Sequence, residues 1–402
     1  MPAPQGRHGL IVLLVSFAII SMGTGTVFAL SVFLLPIVES MSWTRSDISI
    51  VAGLNWLSIG AASLVMGYVS DRVGARVAVG SGGFILGLGL VLSSQATAFW
   101  WFAVVYGLMV GFGTGSFYVP LSAMAAKWFT ANRGLALGVI SAGMGFGTLV
   151  AAPVSRWLID LGGWRTAMLL IGDAAWLVII PLTLILRDPP RASEPSRRGA
   201  PAGLEYPVSR IARAPAFWAL AIAHFACCAA HSGPIFHMVT HIADQGIGRM
   251  AAATVLGVSG FGSIFGRLLS GMLADRFGGK PTLVVGLTIQ ALAIGMYLVV
   301  RDLAAFYVLA VAFGLAYGGV MPLYALVTRE HFGERAMGTA FGGVFMISCL
   351  GMGLGALSGG WFYDGLGSYT WLFVSSMAIG GMAVLVAMTC PGRRLVASPV
   401  AG

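Results

Sequence analysis

Charged residues are scarce in this sequence. Only 9% of its 402 residues are Asp, Glu, Lys or Arg, while 58% are hydrophobic. A soluble domain carries about 25% charged residues, so the composition excludes an ordinary soluble protein. No Walker A sequence occurs in the polar segments, and the four cysteines lack the spacing of a zinc or haem site. We therefore expect no cofactor, no metal and no nucleotide-driven step.

Long apolar runs take the place of the missing charge. Twelve of them reach the ~17–25 residues that a membrane-spanning helix needs. They cover residues 9–38, 48–70, 77–95, 98–126, 134–158, 165–187, 215–241, 250–273, 281–300, 303–328, 336–362 and 369–390. The first is too long for the core of a signal peptide and is expected to be retained. The sequence predicts an all-α protein embedded in a lipid bilayer.

The net charge of +9 marks topology, and we expect no nucleic-acid partner. With both termini on one side, 17 of the 23 Lys and Arg residues lie on that side, five lie on the other, and Arg267 lies inside a span. This bias predicts cytoplasmic N and C termini. Short loops favour a multi-pass protein of a bacterial inner (plasma) membrane.

The chain divides into two similar halves. The polar segment at 188–214 separates six spans from six, which predicts an N-terminal bundle over 1–187, a cytoplasmic linker over 188–214 and a C-terminal bundle over 215–402. The halves share a motif, GYVSDRVGAR at 67–76 and GMLADRFGGK at 271–280, whose Asp71 and Asp275 are 204 positions apart. Pro120 and Pro322 are 202 apart. Repetition at a nearly constant offset indicates a parallel internal duplication.

This arrangement resembles the major facilitator superfamily. The resemblance implies two pseudo-symmetric six-helix bundles, with Asp71, Arg72, Asp275 and Arg276 as gate residues that pair with neighbouring helix ends when the cytoplasmic side closes. Ala75 departs from the basic residue that the family often has there. The N-terminal copy is therefore expected to hold its gate less firmly.

A second resemblance is narrower. The run KWFTANRGLALGVISAGMGFGTLVAAPVSRWLIDLGGWR at 127–165 is similar to the fifth-helix region of monocarboxylate transporters and of the related bacterial oxalate/formate exchangers. Its small residues trace a ridge that permits close helix packing: Gly134, Gly138, Ala142, Gly145 and, beyond them, Leu149. The resemblance implies that this helix slides as the cavity opens.

Arg267 is the charged residue of an otherwise uncharged run, LGVSGFGSIFGRLLSGML. A charge at bilayer depth costs at least ~2.5–3.5 kcal/mol, so it needs a watery cavity or a partner. Ser259, Ser263 and Ser270 lie on its helical stripe. A guanidinium binds a carboxylate through two parallel hydrogen bonds, which predicts a substrate-binding role. The alternative is a structural ion pair, for which Asp173 is the acid within a predicted span.

The resemblance supports the substrate role, because both families carry their substrate arginine on the eighth helix. Two departures limit it. Animal monocarboxylate transporters have an aspartate one turn earlier, where this chain has Ser263, and a lysine in the first helix, which this chain lacks. The oxalate exchanger has a second cation on the eleventh helix, where this chain has no basic residue. One fixed positive charge suits one carboxylate.

The seventh helix contains the candidate proton carriers. Histidine titrates near physiological pH, and His224, His231 and His237 lie within this span. We favour His237 for both proton coupling and substrate binding, because Pro234 weakens the helix beside it and such breaks mark transporter binding regions. His231 and Asp173 are the alternatives for proton coupling. A neutral histidine that only bonds between helices is the simpler interpretation.

The remaining substrate-binding candidates are polar, aromatic or sulfur-containing residues of helices expected to face the pore. They are Tyr118, Tyr317, Phe345, Ser348, Cys349, Asn55, Phe28 and Met144. Ordinary packing explains each of them equally well.

These features together predict a secondary active transporter of small monocarboxylates such as lactate or pyruvate. We expect it to be a monomer that carries a proton with its substrate by alternating access, and not an enzyme. The nearest alternatives are an anion exchanger of the oxalate/formate type and a facilitator-type exporter of a drug or metabolite. A membrane-embedded enzyme or sensor would need a catalytic cluster or a signalling domain, and the sequence contains neither.

Overall fold

A computed structural model of the protein describes residues 4–129, 133–187, 208–332 and 337–390. The first three helices are α1 (Pro4–Met41), α2 (Arg45–Val73) and α3 (Ala75–Ser94). The fourth span, α4, consists of Phe99–Phe102, π-helical Ala103–Val110, Gly111–Gly115 and Tyr118–Trp128. The run Arg133–Ile185 holds α5 (133–162) and α6 (164–185). After a 3-10 turn at Val208–Arg213 follow α7 (Pro215–Ala243), α8 (Arg249–Phe277), α9 (Gly279–Met296), α10 (Leu303–Phe332), α11 (Met337–Leu366) and α12 (Thr370–Thr389).

The all-α membrane fold predicted from the sequence is confirmed. Eleven helical runs of the described residues are long and apolar enough to cross a membrane, and the run Ala136–Ile185 has the length of two spans. Gly163 divides that run, because its φ of 77° and ψ of 170° lie outside helical geometry. Glycine accepts a positive φ without the penalty that a Cβ brings. The twelve predicted spans are therefore all present.

Local sequence signals explain several helix ends. Thr44 accepts a hydrogen bond from the backbone N–H of Asp47, whose carboxylate binds the Thr44 N–H in return, so α2 begins with a capping box. Gly74 and Gly278, 204 positions apart, end α2 and α8 with φ of 95° and 92°. The duplication seen in the sequence is thus repeated in the backbone.

Close helix packing joins the two halves along α2–α11 and α5–α8. A Cβ at Gly53 would lie 2.9 Å from Leu357, and a Cβ at Gly257 would lie 2.9 Å from the Leu149 carbonyl. Such contacts run from mid-helix, at Gly60, to the end of the bundle where α1 meets α2. We call that end the closed end and the opposite one the open end.

Candidate functional site

A cavity of about 160 Å³ lies between the two halves, near the middle of the helices. The polar and sulfur-containing side chains on its wall come from both halves: Thr24, Ser63, Thr114, Tyr118, Ser141, Met144, His224, Cys228, His231, Arg267, Tyr317, Met321, Ser348, Cys349 and Met352. Apolar and aromatic side chains such as Phe28, Trp56, Phe117, Phe341 and Phe345 complete it. A mostly apolar pocket with a few polar groups is typical of a small-molecule site.

Arg267 lies on the wall of this cavity and is only 6% exposed. Its Nε–H donates to Ser141 Oγ on α5 at 3.1 Å, and Nη1 donates to Ser263 Oγ at 2.8 Å and to the Ser263 carbonyl at 3.0 Å. Among the described residues, the salt bridges involve Arg45, Arg156 and Arg249, and none involves Arg267. Its charge is therefore held in place by hydroxyl and carbonyl groups, and no acid of the described residues neutralises it.

Glycines hold α8 in this position. A Cβ at Gly266 would lie 2.2 Å from the Leu315 carbonyl of α10, and one at Gly145 would lie 2.7 Å from the Gly260 carbonyl. Because α8 packs directly on both α10 and α5, the arginine projects across the boundary between the halves. Any rotation of one half against the other changes the surroundings of its guanidinium.

Tyr118 lies beside this guanidinium. It opens the last piece of α4, just after the helix breaks at Ser116 and Phe117. The ring lines the cavity near Ser141 and within electrostatic range of Arg267.

Most of the predicted substrate residues lie on this one cavity. They are Arg267, Tyr118, Tyr317, Phe345, Ser348, Cys349, Phe28 and Met144. His231, one of the alternatives for proton coupling, also lines it. Its Nδ1 lies 2.7 Å from the Cys227 carbonyl, so the proton of a neutral ring resides on Nδ1 and Nε2 remains available as an acceptor.

The placement of His237 as a substrate-binding residue requires correction. The side chain is fully buried outside the cavity wall, toward the closed end. Its Nε2 lies 3.1 Å from the Ala356 carbonyl, and its Nδ1 lies 3.0 Å from the Tyr369 hydroxyl. Pro234 and Gly233 do not turn the following residues into the cavity, because Gly233 packs against the Gly355 carbonyl of α11.

Asn55 and Asp173 are also absent from the wall of this cavity, although Asn55 lines a small adjoining pocket that shares Val27, Phe28, Trp56 and Met352 with it. The Asn55 Nδ2 donates to the Tyr106 carbonyl at 3.1 Å, so this amide ties α2 to α4. Asp173 lies on α6, outside the set of cavity-lining residues. The sequence indicated that both were in spans, but it did not show which side of each helix faces the cavity.

The sequence reasoning missed Ser141 and gave His224 too little weight. Ser141 lies three residues before Met144, so the predicted role of Met144 already pointed to the same helix face. His224, Cys228 and His231 follow one another at spacings of four and three on α7, which is one helical face. That spacing was the available signal.

Two ionic clusters connect the halves at the closed end. In the first, Arg45 of α2 binds Asp244 of α7 through two hydrogen bonds, of 2.6 and 2.9 Å, and the Ser46 N–H donates to Asp364 at 2.7 Å. In the second, Arg249 of α8 makes a bidentate pair with Glu39 of α1. Arg45 and Arg249 are 204 positions apart, so the clusters are pseudo-symmetric copies.

Tyr369 extends the first cluster to His237. Its hydroxyl lies 2.9 Å from Arg45 Nη1 and 3.0 Å from His237 Nδ1. Burial raises the pKa of Tyr369 to about 12, so the hydroxyl keeps its proton at physiological pH. His237 is thus connected to the ionic contacts that close this end.

The predicted gate residues lie at the open end. Arg72, Asp275 and Arg276 are exposed there, and the guanidinium groups of Arg72 and Arg276 stack on Tyr68 and Phe277 of their own helices. The side chain of Asp71 lies outside the described residues. Their pairing across the halves stays a prediction.

Two helical halves that enclose a central cavity, closed at one end by ion pairs, define a membrane transport protein. The model of the Major Facilitator Superfamily matches residues 13–356 and 246–399, and the chain belongs to this superfamily. Within it, the chain is similar to monocarboxylate transporter 13 of Bos taurus, with 28% identity over 96% of this chain and 90% of that protein. It is also similar to monocarboxylate transporter 11 of Homo sapiens, with 30% identity over 96% and 84%.

A solved structure supports the fold. A bacterial homolog of the human lysosomal transporter Spinster, in an inward-facing and occupied conformation, aligns with a TM-score of 0.75 at 19% identity over 97% of both chains. At this identity the similarity concerns the fold alone. The superfamily match and the relatives identify a monocarboxylate-transporter-like membrane transporter and not an enzyme.

Proposed function

We propose that this chain is a proton-coupled transporter of small monocarboxylates such as lactate and pyruvate, which works by alternating access. The observation that carries the proposal is Arg267, a buried guanidinium on the wall of the central cavity that no carboxylate among the described residues neutralises. The names of the relatives, monocarboxylate transporters 11 and 13, support the same substrate class.

The electrostatics of the cavity favour one carboxylate. A buried charge without a partner is costly, and a bound carboxylate offsets that cost through two charge-assisted hydrogen bonds. Among the described residues that line the cavity, Arg267 is the one Lys or Arg. A second carboxylate would be desolvated without a fixed charge beside it. This disfavours an exchanger of the oxalate type.

The proton site in this proposal is His231. The ring lines the same cavity as Arg267 and offers Nε2, whereas both nitrogens of His237 already face groups of the protein. A nearby carboxylate favours the protonated imidazole through charge attraction. Substrate and proton would therefore bind cooperatively, which is the requirement for symport.

Alternating access would break the ionic contacts at the closed end and form contacts between the gate residues and neighbouring helix ends at the open end. With cytoplasmic termini, as the charge bias predicts, the open end faces the cytoplasm of a plasma-membrane monomer. Closing it would bring Asp71, Arg72, Asp275 and Arg276 against neighbouring helix ends. The Arg45 and Arg249 clusters would separate at the same time.

Substitution of Arg267 tests the proposal. Arg267→Ala should abolish binding of lactate and pyruvate by the purified protein, and Arg267→Lys should weaken it by roughly tenfold or more, because lysine lacks the planar fork. Isothermal titration measures both. Arg301→Ala, which removes an exposed arginine outside the cavity, is the control and should bind normally. Wild-type affinity in Arg267→Ala would refute the binding of the substrate carboxylate by Arg267. Competition by oxalate equal to that by lactate would favour an anion exchanger of the oxalate/formate type.

A further inference from the structure

The guanidinium of Arg267 already has partners where a carboxylate would bind. A carboxylate makes its two parallel hydrogen bonds with a guanidinium either at Nε and Nη2 or at Nη1 and Nη2. In this structure Ser141 Oγ accepts from Nε at 3.1 Å, and Ser263 accepts from Nη1 through its Oγ and its carbonyl. Within the part of the chain that the structure describes, no group accepts a hydrogen bond from Nη2. Each binding mode therefore requires one serine to release the guanidinium.

The two serines differ in how firmly they hold the arginine. Ser263 lies one turn before Arg267 on the same helix, contacts Nη1 at 2.8 and 3.0 Å, and moves with the arginine in any rearrangement of the halves. Ser141 lies on α5 of the other half and makes a single contact of 3.1 Å through a neutral hydroxyl. For a charged donor, a carboxylate is a stronger acceptor than a hydroxyl. Binding at Nε and Nη2 is therefore the less costly mode, and it displaces Ser141.

The hydrogen bond between Arg267 and Ser141 lies where close packing of α5 on α8 gives way to open space. One turn toward the closed end, a Cβ at Gly145 of α5 would lie 2.5 Å from Ser263 Oγ. Toward the open end, a Cβ at Gly138 of α5 or at Gly271 of α8 would meet nothing within 4 Å. This hydrogen bond thus joins the halves at the edge of their packed contact.

We propose that Ser141 is a positioning residue that holds Arg267 in the empty transporter and gives up its place at Nε to the substrate carboxylate. The inference rests on the proposed binding of a monocarboxylate by Arg267 and adds how that binding reaches the two halves. Substrate binding replaces a hydrogen bond between the halves by hydrogen bonds to the substrate. It thereby frees α5 from α8 at this edge. Ser141 is then a competitor of the substrate and not one of its ligands.

Removal of the Ser141 hydroxyl tests the proposal on the purified full chain. Ser141→Ala should raise the affinity for lactate by about three- to tenfold, because the carboxylate no longer has to displace an acceptor from Nε. Isothermal titration measures the affinity. Without lactate, the same variant should melt at a lower temperature than the wild-type protein, because its buried Nε–H has lost its acceptor. A residue that serves only the packing of the site would lower the affinity instead.

Two further variants separate the acceptor from the space that it fills. Ser141→Cys keeps a group of similar size, but sulfur is a weak acceptor, so the affinity for lactate should rise as it does in Ser141→Ala. Ser270→Ala is the matched control, because the Ser270 hydroxyl donates to the backbone carbonyl of Arg267 at 3.1 Å and makes no hydrogen bond with the guanidinium. It should bind lactate with wild-type affinity.

The outcomes separate this inference from the proposed function. If lactate binding is lost in Arg267→Ala but is unchanged or weaker in Ser141→Ala, Ser141 is not a competitor, and the binding of the carboxylate by Arg267 stands. A gain in Ser141→Ala that is absent from Ser141→Cys would assign the effect to added space and would also overturn the inference. If lactate does not bind to the wild-type protein, the proposed function fails and this inference fails with it.

Discussion

At the scale of single residues, the surroundings of Arg267 explain why its role could be predicted while its partners could not. A charge in an uncharged span is visible in the sequence and demands an explanation. The serine that receives its Nε–H, Ser141, lies 126 positions earlier on the other half. No pattern on α8 indicates which residue of another helix comes within 3.1 Å. Pairing across helices is a property of packing.

The histidines of α7 also show that the sequence of one helix does not indicate which of its residues face the cavity. His231 and His237 differ by six positions, which places them on different faces of one helix. The helix break at Pro234 suggested that His237 is the functional histidine, but the one of the two that lines the cavity is His231. The direction of each side chain was decided by how α7 packs on α11, which a single helix sequence does not record.

His231→Gln therefore gives a sharp residue-scale prediction. Glutamine can hydrogen-bond but cannot titrate, so the variant should retain lactate exchange and lose uphill accumulation driven by an inside-alkaline gradient. Uptake into proteoliposomes with and without a pH difference measures this. His237→Gln is the comparison and should keep its coupling. Should the two variants behave the other way round, the proton binds at the closed end.

At the scale of elements, the twelve spans and their order followed from apolar length alone, because a membrane helix must satisfy its backbone internally. The ridge of small residues on α5 was also visible. Its partner was not: Gly145 meets Gly260 and Ser263 of α8, on the other half. The internal irregularity of α4, with π-helical Ala103–Val110, had no sequence signal that we recognised.

Gly145→Val tests the contact between α5 and α8. A Cβ at this position would lie 2.5 Å from Ser263 Oγ and 2.7 Å from the Gly260 carbonyl, so the halves could not approach as they do. Overpacking of this kind costs about 1–3 kcal/mol, and we expect a lower melting temperature and a transport rate reduced roughly tenfold or more. Gly138→Ala on the same helix meets nothing within 4 Å and is the control. Unchanged transport in Gly145→Val would mean that the contact is dispensable.

At the scale of the whole molecule, the duplication was predictable and the closed end was not. The offset of 204 positions between Asp71 and Asp275 also relates Arg45 to Arg249. In the sequence, nothing distinguishes the acidic and basic residues of the two ionic clusters from ordinary loop and helix-end residues. They become inter-half contacts only because the bundle closes at this end. The conformation is a property of both halves together.

Charge exchange tests whether the first cluster holds this end closed. Arg45→Asp places an acid opposite Asp244, and the repulsion between the two carboxylates should open the closed end. The cavity thiols Cys228 and Cys349 should then react with an impermeant thiol reagent added from that side. Combining it with Asp244→Arg should restore much of the protection, because the pair is re-formed in reverse. Arg301→Asp, at an exposed arginine of the same end, should leave labelling unchanged. Equal labelling of the single and double variants would contradict the gate role.

The unequal burial of the two ionic clusters makes the transporter sensitive to ionic strength. The side chains of Arg249 and Glu39 are 43% and 51% exposed, whereas those of Arg45 and Asp244 are 11% and 29% exposed. Salt weakens ion pairs between solvent-exposed side chains and affects buried pairs much less. A rise or fall of salt concentration at the closed end would thus change the strength of the Arg249–Glu39 ion pair first. The two pseudo-symmetric contacts would then respond unequally to a change of salt concentration on the side of the closed end.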